Sequence, residues 1–192
     1  MICSDEIHCD LLLDKSARHI PYGAIRQEAA ERCAVMMAPS KTFNIAGLCC
    51  SFAVVPNARL RFRLQQAMRG ISADVNLRGF VAAEAAYEGG EQWLCEQLDY
   101  LAANLALIQQ AVARWPGVEL ASHQATYLAW IDVSALGLDD PVAFFEQAGV
   151  GLSPGAQFGN GQFVRLNFGC TNARLVEALA RMERAILSHG KQ

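Results

Sequence analysis

Continuous apolar runs mark the first part of the chain, and alternation marks the last. Cys33-Ala-Val-Met-Met37 and Leu48-Cys-Cys-Ser-Phe-Ala-Val-Val55 are each bounded by turn residues. This predicts two buried strands flanking the turn Ala38-Pro39-Ser40-Lys41. Ahead of them, Met1-Ile2-Cys3 reads as the stub of another buried strand, running into the polar cluster Ser4-Asp5-Glu6-Ile7-His8. Helical spacing then takes over, with Leu60, Leu64, Ala67 and Met68 predicting a helix over 58–68 and a second following over 76–87. Gly89-Gly90 breaks that pattern. A long amphipathic helix is predicted from Glu91 to Trp115, on Leu94, Leu98, Leu101, Leu105, Ile108 and Val112, ended by Pro116-Gly117.

Beyond that break, Tyr127-Leu-Ala-Trp-Ile-Asp-Val133 and Phe163-Val-Arg-Leu-Asn167 read as strands, with a short helix over 141–148 between them. Thr171-Asn172 is expected to cap a closing helix to about Leu187. The order predicts an α/β protein in three parts: a strand-bearing region over 1–88, a connecting helix within 89–117, and a small α+β domain over 118–192.

Composition narrows the function classes. The chain of 192 residues is 53% hydrophobic and 18% charged, against about 25% charged in a typical soluble domain. Net charge is −3 and the basic residues are scattered, which argues against nucleic acid as a partner. No apolar run reaches the roughly 18 to 20 residues of a membrane span, and the N-terminus lacks the pattern of a signal peptide. A cytoplasmic protein is expected. The seven cysteines contain no CxxC pair, so most read as small buried hydrophobes and Cys49-Cys50 as two core thiols on a strand.

Four features carry candidate chemistry. Lys41, in a turn between two apolar strands, is either a solvated loop lysine or an amine desolvated for Schiff-base chemistry. Asp5 and His8 stand at a strand end, where ligands of α/β sheets collect, and could serve one ligand, a metal or a cap; no further metal ligand is assignable and no metal is expected. Arg165 lies inside a strand, where it either faces solvent or meets an anion. The loop Leu152-Ser-Pro-Gly-Ala-Gln-Phe-Gly-Asn-Gly161 is Gly-rich but lacks phosphate-loop spacing.

The order of four segments is informative. Ser-Asp-Glu-Ile-His-Cys-Asp-Leu (4 to 11), Ala-Pro-Ser-Lys-Thr-Phe-Asn-Ile-Ala-Gly-Leu (38 to 48), Thr-Tyr-Leu-Ala-Trp (126 to 130) and Phe-Val-Arg-Leu-Asn-Phe-Gly-Cys (163 to 170) follow one another along the chain. Together they resemble successive signatures of the pyridoxal-phosphate (PLP) enzymes of the class I/II aminotransferase superfamily, nearest its cystathionine β-lyase (C-S lyase) branch. The resemblance covers essentially the whole chain but only the C-terminal half of such an enzyme: part of the PLP-binding large domain plus the small domain.

The resemblance implies roles. Lys41 is the cofactor lysine, Asp5 pairs with the pyridine nitrogen, and Arg165 takes the substrate carboxylate. His8 sits near the ring's phenolic oxygen, and Ser40 near the phosphate. It implies β-elimination from a small sulfur amino acid, giving a thiol, pyruvate and ammonia, in a homodimer. Transamination is the alternative. A second alternative is a catalytically incomplete fragment with no activity alone, because the phosphate loop and the aromatic that stacks on the cofactor belong to the other half. The chain departs from its relatives at Ala38, where many carry a phosphate-binding serine, and at Cys49, where many carry an arginine.

Overall fold

The structure, a computed structural model, describes residues 1–190. The chain divides into two compact units, Met1–Gln97 and Leu98–Gln192. In the first unit β1 (Ile2–Asp5) is followed by a short helix α1 (Gln27–Ala30), then β2 (Cys33–Met37) and β3 (Phe52–Val54). The sheet order is β1-β2-β3, with β1 parallel to β2 and β3 antiparallel to it. Only the central strand β2 is buried, as its apolar run predicts. Leu11, Cys33, Ala34, Val35, Ala38 and Val55 form the buried apolar centre of the unit.

Three expectations fail here. β1 is an exposed edge strand, not a buried one, with Ile2 open to solvent. The run 48–55 yields only three strand residues, all exposed, because its start is spent on a 3-10 turn at Ala46–Leu48 and a left-handed Cys49 at φ +53°. Cys49 is therefore exposed and Cys50 buried, both as free thiols, instead of two core residues on a strand.

Helices α2 (Ala58–Met68) and α3 (Leu77–Gly89) start where side-chain caps begin them. Asn57 accepts from the amides of Arg59 and Leu60, and Asn76 from that of Gly79. The next helix, α4 (Glu91–Val112), stops three residues before the predicted Trp115, and tighter turns complete the segment.

In the second unit β4 (Glu119–Leu120), β5 (Leu128–Asp132), β6 (Ser153–Pro154) and β7 (Phe163–Asn167) form an antiparallel sheet in the order β4-β5-β7-β6. Alternation works as expected: Ala129, Ile131, Val164 and Leu166 are buried, while Trp130 and Arg165 share the less buried face. Helix α5 (Pro141–Gln147) begins at Asp140, which caps it, and α6 (Asn172–His189) buries Leu175, Leu179, Met182 and Ile186 at helical spacing. The Thr171 side chain makes no cap bond; the Asn172 amide donates instead to Tyr100 Oη at 2.7 Å. β4 and β6 have two residues each, too few to show a period. Asn104 is buried in this unit, its Nδ2 donating to the carbonyls of Phe168 and Cys170 at 3.1 Å each. Among the described residues no helix is long and apolar enough to cross a membrane.

Candidate active site

The parallel pairing of β1 and β2 sends both strands toward one sheet edge, with Ser4 opposite Val35 and Asp5 opposite Met36. The Glu6 amide extends the ladder to the Met36 carbonyl at 3.0 Å. Asp5 ends one strand, and the chain leaving the other passes through buried Ala38 and Pro39 to half-buried Ser40 and Lys41. The carboxyl end of parallel strands is the usual ligand edge of an α/β sheet.

The lysine turn is held on every side. Phe43 N donates to Pro39 O at 2.9 Å and Ile45 N to Ser40 O at 3.1 Å, with Asn44 in the left-handed region at φ +55°. Thr42 is fully buried and its Oγ1 donates to Asp10 Oδ2 at 3.2 Å. The Phe43 ring lies 5.9 Å from both the Tyr87 and Trp93 rings.

The acidic cluster divides its labour. Asp5 is exposed and its Oδ1 accepts the Ile7 amide at 3.2 Å, so it does cap its own turn. Glu6 is the buried carboxylate: Ser4 Oγ and the Tyr22 amide donate to Oε1 at 2.9 and 2.8 Å, and His19 Nε2 lies 2.6 Å from Oε2. Burial alone would raise this carboxyl, but the hydrogen bonds from Tyr22, His19 and Ser4 outweigh it and hold the group below its ordinary value. His8 is half-buried, with its Nδ1 out of solvent. Burial, then the neighbouring Asp10 carboxylate, pushes the Cys9 thiol up to about 11. The same pair of causes, led by burial, takes the Tyr87 phenol to about 12.

Arg165 belongs to the second unit. Its guanidinium carbon sits 4.4 Å from the centre of the Phe158 ring, and Nη2 donates to Ser153 Oγ at 3.3 Å. Nε is buried without a hydrogen-bond partner among the described residues. A buried guanidinium nitrogen without a partner has room for one more acceptor. Trp130 stacks on Phe163 at 5.2 Å and meets Phe158 edge-on at 5.9 Å, walling the same face. The Gly-rich loop supports this wall: a Cβ on Gly155 would fall on the carbonyl oxygens of Phe163 and Asn160, so only glycine fits there.

The structure thus brings Asp5, His8, Ser40 and Lys41 to one end of one sheet, and sets Arg165 on the half-exposed face of the other. Among the described residues no group of three His, Cys, Asp or Glu side chains could hold a metal ion. Sequence reasoning missed Glu6 as the buried member of its cluster, the bond from Thr42 to Asp10, and the Phe158 and Ser153 contacts to Arg165. Only Glu6 carried a signal, as one of two adjacent carboxylates just after a strand-like stub. The residues present suit PLP: a primary amine in a turn fixed on both flanks, which follows one strand, and a carboxylate at the end of that strand's parallel neighbour.

Comparison with known proteins agrees. A family model described as aminotransferase class I and II matches residues 1–182. Cystathionine beta-lyase PatB of Bacillus subtilis (strain 168) is 35% identical over 193 residues, covering 96% of this chain and 49% of that protein. The crystal structure of OvoB superposes with a TM-score of 0.95 at 49% identity, covering 98% of this chain and 50% of that one. Cystalysin from Treponema denticola, which contains a pyridoxal 5'-phosphate cofactor, gives 0.90 at 28% identity over 98% of this chain and 49% of that one. The chain spans about half the length of the curated relatives it matches.

Proposed function

Because the chain belongs to the class I and II aminotransferase family, a PLP-dependent family, we propose that it forms the lysine-bearing part of a C-S β-lyase acting on a small sulfur amino acid. The observation that carries this reading is the parallel register of β1 and β2, with Asp5 and the Lys41 turn at one strand edge. The likeness to a cystathionine beta-lyase along almost the whole chain supports the lyase outcome.

When bound, the cofactor supplies an electron sink for the pair left at the substrate Cα. Asp5, His8 and Ser40 would help hold it, the Asp5 carboxylate keeping a proton at the pyridine nitrogen and His8 and Ser40 offering contacts to the phenolic oxygen and the phosphate. Lys41 would hold the cofactor, and its Nζ would act as the base that removes the substrate Cα proton. Arg165 takes the α-carboxylate through the edge that carries its unpartnered Nε. The thiolate would leave from Cβ and take up a proton to become the thiol, and water would hydrolyse the remaining three-carbon enamine to pyruvate and ammonia.

The same residues serve transamination, and the family model supports that second reading. A polypeptide joining this segment to the rest of its fold, given L-cystathionine and PLP, should release pyruvate and ammonia in equal amounts without a keto acid. No release of ammonia or pyruvate, with an added keto acid converted instead to its amino acid and L-cystathionine to its own keto acid, would assign it to the aminotransferases. We further propose a cytoplasmic homodimer. The seven free cysteines suit a reducing compartment, and exposed Phe52, Val54, Phe80 and Val81 offer apolar surface for subunit contact.

A further inference from the structure

We propose that Thr42 and Asp10 form a clamp that fixes Lys41 at the strand edge, both acting as positioning residues; this rests on the reading of Lys41 as the cofactor lysine. Thr42 follows the lysine directly, yet its side chain is completely buried, and its hydroxyl spends its proton on a carboxylate 32 residues earlier in the chain, at 3.2 Å. That bond ties the segment after β1, which carries Asp5 and His8, to the segment after β2, which carries Ser40 and Lys41. Asp10 is itself held in place: Leu11 beside it is fully buried, and its amide donates to His8 O at 3.0 Å.

The turn is also shaped by the Phe43 and Ile45 amides and packed through the Phe43 ring against Tyr87 of α3 and Trp93 of α4. Those contacts shape the turn but do not set its distance from the β1 segment. The Thr42 to Asp10 bond links the turn to that segment directly, side chain to side chain. The influence of the Asp10 carboxylate on Cys9 and Tyr87 agrees with a charge facing the interior of this unit.

A misplacement of about 1 Å is enough to slow a positioned reaction roughly a hundredfold, so the clamp should be read in how fast Lys41 captures the cofactor. The test compares the wild-type 192-residue chain with Thr42→Val, Thr42→Ser and Asp10→Asn. Each is mixed with PLP, reduced with borohydride at set times, and digested for the mass of the adduct on Lys41. Valine keeps the volume and loses the donor. Capture by Thr42→Val should fall roughly tenfold, that of Thr42→Ser should return to near wild type, and Asp10→Asn should lie between.

Amide hydrogen exchange of residues 41–45 in the cofactor-free chains gives the second readout, with faster exchange expected in Thr42→Val and recovery in Thr42→Ser. Unchanged capture and unchanged exchange in Thr42→Val overturn the clamp. A wild-type chain that captures PLP on other lysines but not on Lys41 overturns the cofactor-lysine reading instead. In that case the exchange data alone decide whether the clamp holds the turn.

Discussion

Glu6 and His19, thirteen residues apart in sequence, meet at 2.6 Å between Oε2 and Nε2, with Glu6 buried. The contact closes the loop after β1 back onto the strand edge. Because the Glu6 carboxyl is held below its ordinary value, its stabilising bonds are fully present above about pH 4.3 and are lost as pH falls through the folded-state value. Thermal unfolding followed from about pH 6 to about pH 3 should show a decline that Glu6→Gln flattens. Glu6→Ala, which strips the acceptor from the Tyr22 amide, should cost about 1–3 kcal/mol at neutral pH. Parallel pH profiles for wild type and Glu6→Gln would speak against this role.

Asn104 is the corresponding buried polar anchor of the second unit. Replacing it by alanine leaves the Phe168 and Cys170 carbonyls without their donor, so denaturant unfolding should show a loss of about 1–3 kcal/mol. Asn104→Ala at wild-type stability would mean that both carbonyls find other partners.

Arg165 should depend on its fork and not on charge alone. Lysine keeps the charge but loses the planar donors that Phe158 and Ser153 orient. If the proposed lyase reading holds, then in a polypeptide that joins this chain to the N-terminal half seen in its relatives, Arg165→Lys should raise KM for the amino acid about ten- to a hundredfold, as expected for charged hydrogen bonds of about 1.5–3 kcal/mol. An unchanged KM would remove Arg165 from carboxylate binding.

Much of this architecture was legible in the residue pattern, for reasons that also explain the misses. β2 and β7 were readable because one is buried on both faces and the other alternates strictly. The start of α2 was readable because Asn57 caps it. The 48–55 run misled because apolar composition does not reveal that Ala46–Leu48 and Cys49 curl into a turn before the strand begins. Lys41, Asp5 and Arg165 were visible as residues in recognisable segments. Their supports were not, since Thr42 meets Asp10 across 32 residues, and Phe158 reaches Arg165 only once the Gly155 turn has formed. Such partners are set by tertiary geometry and leave no local period in the sequence.

Lys41 is the residue proposed to bind PLP. The chain has only three lysines, Lys15, Lys41 and Lys191, so borohydride reduction of the PLP-treated chain followed by peptide mass mapping reads the answer directly. A single phosphopyridoxyl adduct on Lys41, absent from Lys41→Ala, is the predicted result. An adduct spread evenly over the three lysines, or one that persists in Lys41→Ala, would contradict it.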